Sequence, residues 1–304
     1  TLAAMAVGVK AGDEVIVPNY TMVATPNSIK MFGATPVFVD VEESTLCLDI
    51  NLVEAAITSA TVAIMLVSSN GRYPVSGIEA FVSLCEKYNL KLIEDSAQSL
   101  GSYYPDGTHV GRKGLVGSFS FSAPKIISTG QGGAIITDDD NVAQSVRRLK
   151  DFGRDGGGTD IHAVIGFNFK FTELQAIIGI EQMKKLPGRV HRKKEIFLRY
   201  QTNLNRLDHI QLFQNNMVTT TPWFIDALVE HREELMTYLK EKGVGTRVMY
   251  PPINRQKAYD FEGSYPVTEK VGVKGLWFPS MVQLEDSQID YICNSIATFY
   301  SSYN

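Results

Sequence analysis

With 304 residues, 44% of them hydrophobic and 20% charged, the chain has an ordinary globular balance and room for one large core plus a smaller unit. A net charge of -4, and no basic cluster beyond residues 189–194, which read as the solvated face of a helix, give nucleic-acid binding no support. Three scattered cysteines (Cys47, Cys85, Cys293) and five histidines without metal-ligand spacing imply neither a disulfide framework nor a zinc site, and no apolar run reaches the roughly 18 residues needed to span a bilayer.

The chain opens on Thr1, followed by an apolar helical stretch over 2–9. It begins inside what reads as a structural element, so a longer gene product or a fragment is expected. Strands are predicted at 14–17, 36–41, 62–67 and 90–94, with helices at 51–58 and 78–88. In the second helix Ile78, Phe81, Val82, Cys85 and Tyr88 recur at helical spacing. Strands alternating with helices of this length imply right-handed crossovers and a largely parallel sheet, in which ligands sit at the carboxyl ends of strands. Asp95 lies at such an end.

Residues 117–122 and 133–137 are strand-like and flank a glycine-punctuated loop that contains Lys125. A helix over 141–152, a mobile glycine-rich loop over 153–158, and a long helical region from 172 to about 207 follow, the last interrupted near Pro187 and Gly188. The remainder reads as a separate α+β unit: a strand at 222–229, a helix at 231–242 ended by Gly243, a strand at 245–250 and a helix at 286–300. The domain reading is therefore 1–207 and 208–304. A dinucleotide-binding dehydrogenase is disfavoured, because no Gly-x-Gly-x-x-Gly follows the first strand.

Two segments carry chemistry. In Leu-Ile-Glu-Asp-Ser-Ala-Gln (92–98) a buried strand ends on carboxylates; Asp95 reads either as a helix N-cap or as a carboxylate aimed into a strand-end pocket. Lys125 follows a run of small and apolar residues, and reads either as a surface lysine or as a Schiff-base lysine with a lowered pKa. The two features explain each other in pyridoxal 5'-phosphate (PLP) chemistry, which needs a lysine for the aldehyde and an acid to keep the pyridine nitrogen protonated. Ser120, on a strand running toward Lys125, offers a hydroxyl to the cofactor phosphate. The amide groups at Thr1 and Leu2 offer a second phosphate site, against the plainer reading of Thr1 as an N-cap.

Ordered motifs then resemble one family. They are Val-Ile-Val-Pro-Asn-Tyr-Thr-Met-Val-Ala-Thr-Pro-Asn (15–27), Ile-Glu-Asp-Ser-Ala-Gln (93–98), Gly-Ser-Phe-Ser-Phe-Ser-Ala-Pro-Lys (117–125) and Gly-Gln-Gly-Gly-Ala-Ile-Ile-Thr-Asp (130–138). Ile-Gly-Phe-Asn-Phe-Lys-Phe-Thr-Glu-Leu-Gln-Ala (165–176) and Gly-Val-Gly-Thr-Arg-Val-Met-Tyr-Pro-Pro-Ile (243–253) continue the pattern. Together they resemble the DegT/DnrJ/StrS sugar aminotransferases over nearly the whole chain. The resemblance implies an α/β, aspartate aminotransferase-like enzyme of PLP fold type I, with a mostly parallel large domain and a smaller α+β C-terminal domain, in which a stretch of a typical member precedes Thr1.

The resemblance further implies that Lys125 holds the cofactor, Asp95 pairs with the pyridine nitrogen, Gln98 contacts the ring hydroxyl, and Ser120, Thr1 and Leu2 bind phosphate. Asn168, otherwise a plain loop amide, is expected to reach the cofactor phosphate of a neighbouring subunit in a homodimer with shared active sites. Met22 stands where many members place an aromatic residue over the ring, and a thioether still packs there. Asn254 stands where many have His; it and Tyr250 are expected to face substrate. A related branch of sugar 3-dehydratases carries His in place of the lysine, so Lys125 favours transamination. The implied activity is amino transfer from glutamate to a keto nucleotide-sugar of the perosamine type, and the few, scattered cysteines fit a reducing cytoplasm best. An aminocyclitol or keto-inositol aminotransferase and a non-catalytic PLP-fold regulatory protein are the alternatives.

Overall fold

The computed structural model describes residues 1–156, 160–259, 261–301 and 303. Six strands form the first sheet: β1 (Glu14–Pro18), β2 (Thr35–Val39), β3 (Thr61–Val67), β4 (Lys91–Asp95), β5 (Val116–Ser120) and β6 (Gly133–Ile136). Their spatial order is β2-β1-β3-β4-β5-β6. All neighbours are parallel except β6, which runs antiparallel to β5 along one edge. Helices α1 (Leu2–Ala6), α2 (Ala24–Lys30), α3 (Ile50–Ala55), α4 (Ile78–Tyr88) and α5 (Asp140–Leu149) accompany it.

Strand parity explains the two cores. Val15, Val17, Ala63, Met65 and Ile93 point to one face, with Ala3, Ala4 and Val142 from α1 and α5. Ile16, Ile64, Leu66 and Leu92 point to the other, against Ile78, Phe81, Leu84 and Cys85 of α4. A side-chain period of two puts apolar residues on both faces of a covered parallel sheet, which is why these strands read as continuous apolar runs. Helix α4 stops at Asn89, whose left-handed φ of 52° closes the last turn.

The long helix α6 (Glu173–Leu204) corrects one expectation: it runs unbroken through Pro187 and Gly188. Proline there removes one helix hydrogen bond and costs roughly 3 kcal/mol. Anchors at both ends outweigh that cost. Thr172 and Gln175 form a reciprocal capping box, and Ile196, Phe197, Tyr200 and Leu204 are fixed in the core of the second unit.

That unit is an antiparallel sheet of β7 (Ile210–Leu212), β8 (Ile225–Val229), β10 (Gly275–Phe278) and β9 (Arg247–Val248), in the order β7-β8-β10-β9. Helices α7 (Arg232–Glu241), α8 (Pro266–Lys274) and α9 (Asp286–Tyr300) complete it. The strands predicted at 222–229 and 245–250 are shorter than expected, and β10, α8 and α2 had no clear periodic signal. In the glycine-rich loop, positions 157 and 158 lie outside the described residues. Gly153 (φ +82°) belongs to its ordered start, where an added Cβ would meet the Val164 carbonyl.

A buried ion pair ties the units together. Arg72 and Asp226 meet at 2.6 Å with side chains 3% and 1% exposed, and Arg72 Nε also donates to the Thr45 carbonyl. Asp226→Ala leaves a guanidinium buried without its counter-charge. The expected loss is about 3–5 kcal/mol of stability, read as a lower denaturant midpoint. A midpoint equal to wild type would show that the pair contributes nothing.

Candidate active site

The site forms where the carboxyl ends of β1, β4 and β5 meet the second unit. Register places Asp95 opposite Ser118, so β4 ends one strand away from the Ser120 end of β5. Both carboxylate oxygens of Asp95 are held: Thr25 Oγ1 donates to Oδ2 at 2.8 Å, and the Ala97 N–H donates to Oδ1 at 3.2 Å. Thr25 is itself 3.0 Å from the Thr21 hydroxyl. The reading of Asp95 as a helix N-cap therefore gives way to a carboxylate oriented by neighbouring elements.

Gln98 accepts the Asn70 N–H through Oε1 at 2.8 Å, and no described residue accepts from its side-chain NH₂. Asn70 in turn exchanges two hydrogen bonds with the Phe224 backbone, joining this corner to the second unit. Ser120 Oγ donates to Ser122 Oγ at 3.1 Å. Gln98, Ser120 and Lys125 line one small cavity together with Thr221 and Trp223.

Lys125 is half-buried, with Nζ 3.7 Å from the centroid of the Trp223 ring. Burial pushes its amine down to about 8, and the nearby Asp95 charge opposes the fall. An amine so placed is partly an unprotonated nucleophile near neutral pH, which a solvated lysine is not. Lys125 also opens onto a larger cavity of about 980 Å³ between the units, lined by Arg189, Lys193 and Arg247 with Phe224 and Trp277, and without an acidic side chain.

The other expected residues divide. Tyr250 lines neither cavity at Lys125 but is within electrostatic range of Asp95: burial raises its hydroxyl to about 12, with Arg247 opposing and Asp95 adding, so it stays a donor at neutral pH. Met22 lies in the turn after β1, 45% exposed, its sulfur accepting the Ala24 N–H. Thr1 is within electrostatic range of Asp95, but its hydroxyl caps nothing. Leu2 faces a different cavity, beside Phe169 and Phe171. Asn168 is exposed, bridged to Asp151, and lines neither cavity at Lys125.

Asn254 is a correction. It is 1% exposed, and its Oδ1 accepts from Asn19 Nδ2 at 2.8 Å. Its backbone N–H returns a bond to Asn19 Oδ1, and its Nδ2 donates to the Phe261 carbonyl. The side chain is buried, with its carbonyl oxygen and one amide hydrogen engaged inside the fold, so it braces the loop rather than facing a substrate. Sequence reasoning missed Thr25 and Trp223. Thr25 stands one helical turn after Thr21, a spacing that hints at a shared face; Trp223 carries no local signal.

The model of the DegT/DnrJ/EryC1/StrS aminotransferase family matches residues 1–297. The chain belongs to this family. A protein named GDP-perosamine synthase from Escherichia coli O157:H7 is 37% identical over 99% of this chain and 82% of its own length. Among solved structures, S. venezuelae DesV superposes with a TM-score of 0.92 at 30% identity, covering 98% of this chain and 81% of that one. A putative sugar aminotransferase from Streptococcus pneumoniae in its PLP form does so at 0.90 and 26%, covering 100% and 86%.

This DegT/DnrJ/EryC1/StrS family member is thus a PLP-dependent transaminase of fold type I. Its site suits that cofactor: an oriented carboxylate, a side-chain amide with unused hydrogens, a strand-end hydroxyl and an amine of lowered pKa converge on one corner. These are the complements of a ring nitrogen, a ring hydroxyl, a phosphate and an aldehyde. Among the described residues no helix is long and apolar enough to cross a membrane, and the three cysteines are unpaired and buried.

Proposed function

We propose that this transaminase moves an amino group from glutamate to the keto carbon of a nucleotide-linked deoxy sugar, giving a perosamine-type 4-amino-4,6-dideoxy sugar, and that it works in the cytoplasm as a homodimer. The observation that carries the sugar assignment is the 37% identity, over 99% of the chain, with the protein named GDP-perosamine synthase. The unpaired, buried cysteines accord with a reducing compartment.

When bound, PLP supplies an aldehyde that condenses with amines and a ring that accepts electron density as a C–H bond breaks. The chain's own residues do the rest. Asp95, held on both oxygens, keeps a proton on the ring nitrogen by its negative charge. Gln98 turns its free NH₂ to the ring hydroxyl, while Ser120 and the Thr1–Leu2 amides hold phosphate. Met22 packs against the ring from the turn after β1. Lys125 Nζ, partly unprotonated, takes the proton from the donor's α carbon and later gives one to the former keto carbon. Tyr250 donates its hydroxyl toward substrate.

The homodimer draws support from an exposed apolar stretch. Ile165 (88% exposed) and Leu174 (76%) lie near Phe169, Phe171, Ile177 and Ile180, far more apolar surface than an isolated chain leaves in water without reason. Asn168 lies in this stretch, so a second copy packed there carries its Asn168 toward the neighbour's site.

Two experiments test the proposal. The enzyme with glutamate is assayed by product mass against GDP- and UDP-linked 4-keto-6-deoxyhexoses and a keto-inositol. Amination of the inositol alone would overturn the sugar reading. Inactive Lys125→Ala and Asn168→Ala proteins are co-assembled; partial recovery of activity is the expected result, and none in verified mixed dimers would sink the shared site.

A further inference from the structure

Trp223 joins the second unit to the lysine loop at two points and to α6 at a third. Its indole Nε1 donates to the carbonyl of Pro124, the residue before Lys125, at 2.7 Å. Its ring face lies 3.7 Å from Lys125 Nζ. Its own carbonyl accepts from Lys193 Nζ at 2.6 Å, and Lys193 also donates to the Ser280 carbonyl and hydroxyl. Trp223 is 5% exposed and packed against Phe224 at 3.9 Å between ring centroids, so its plane is fixed.

No hydroxyl, carbonyl or carboxylate of a described residue is hydrogen-bonded to Lys125 Nζ. What seats this amine is an aromatic face, which attracts an ammonium and restricts a long side chain that would otherwise sample many rotamers. We infer that Trp223 is a positioning residue: it holds the Lys125 amine within reach of the reacting carbon whenever that amine is not bonded to cofactor, and Lys193 holds Trp223. A transaminase lysine is released and re-engaged in each half-reaction, so an amine left to wander is slow at both steps.

The charged and titratable groups around this seat are Asp95 at the end of β4, Arg189 and Lys193 on α6, Arg247 on β9, and Tyr250 after β9. Burial also lowers the Lys193 amine to about 8, so the test must separate two lysines. The first measurement is the rate at which apoprotein captures PLP as a function of pH. Trp223→Leu keeps the site apolar but removes the ring that favours the charged amine. Its midpoint is expected about one pH unit below wild type, with Trp223→Phe shifted less. An unchanged midpoint in a folded Trp223→Leu protein that still binds PLP would leave Trp223 a purely structural role.

The second measurement leaves Trp223 in place, and so stands even where the leucine variant does not fold. Tryptophan emission of the wild-type apoprotein should change between pH 7 and pH 9 as the ammonium over the ring loses its charge. Lys125→Ala, which retains Lys193, should lose that change. Equal titration in both proteins overturns the inference.

Discussion

Lys125→Ala is expected to lower turnover at least about a thousandfold, since acid/base work alone contributes roughly 10²–10⁴ and the covalent hold on the cofactor is lost as well. The fold should survive, because the lysine side chain is half-buried and its amine is hydrogen-bonded to no described residue. Steady-state rates read the first effect and far-ultraviolet dichroism the second. Small primary amines added to the variant should restore part of the rate, since they replace a base that the cavity has room to admit. A variant that transaminates near the wild-type rate would remove Lys125 from the mechanism.

The lowered amine gives this prediction a pH signature. PLP capture by wild-type apoprotein should accelerate as pH rises through about 8, where the amine loses its proton, instead of near 10.5. The sign for stability follows: the folded chain releases this proton at lower pH than the unfolded one. Between about 8 and 10.5 the unfolded state holds more protons, and raising pH there stabilises the fold.

The second large effect belongs to Asp95→Asn. The amide is nearly isosteric and Thr25 can reverse its hydroxyl to face it, so geometry changes little. What disappears is the negative charge that, in the role proposed for Asp95, keeps the ring nitrogen protonated. A drop in turnover of about a hundred- to a thousandfold is expected, the scale seen when one preorganised electrostatic partner is removed. The same variant should shift PLP capture the other way. Asp95 raises the Lys125 amine, so its loss lets that amine fall below about 8 and capture begin at lower pH. Reduced turnover without this downward shift would mean that the two groups do not interact as their placement indicates. Asp95→Glu, which keeps the charge and displaces it, separates charge from position.

Much of the large unit was readable from local pattern. The apolar runs at 14–17, 62–67 and 90–94 became β1, β3 and β4, because a strand buried on both faces leaves a continuous apolar stretch in any sequence. Helix α4 was equally clear, since its buried Ile78, Phe81 and Cys85 recur at helical spacing. The reading at Pro187 failed for a definite reason. Proline's cost is local and visible, whereas the capping box at Thr172 and the buried residues beyond Ile196 that outweigh it act at a distance. The short strand β9 was overestimated because an isolated β-like stretch carries no mark of where its partner β10 ends.

At the site, the lysine, the strand-end carboxylate and their ordered motifs could be read from the chain alone, because each is a short pattern set by local geometry: a strand that ends, a loop that turns. Its neighbours could not. Asn254 pairs with Asn19 across 235 positions, Thr25 reaches Asp95 across 70, and Trp223 closes on Pro124 across 99. No spacing rule encodes such meetings. The sequence by itself determined which residue types stand at the strand ends, and so which chemistry is available. The tertiary structure alone decided that Asn254 meets Asn19 and that Trp223 lies against Lys125, because contacts made by folding the second unit onto the first are set by packing between elements, not by the order of residues within one.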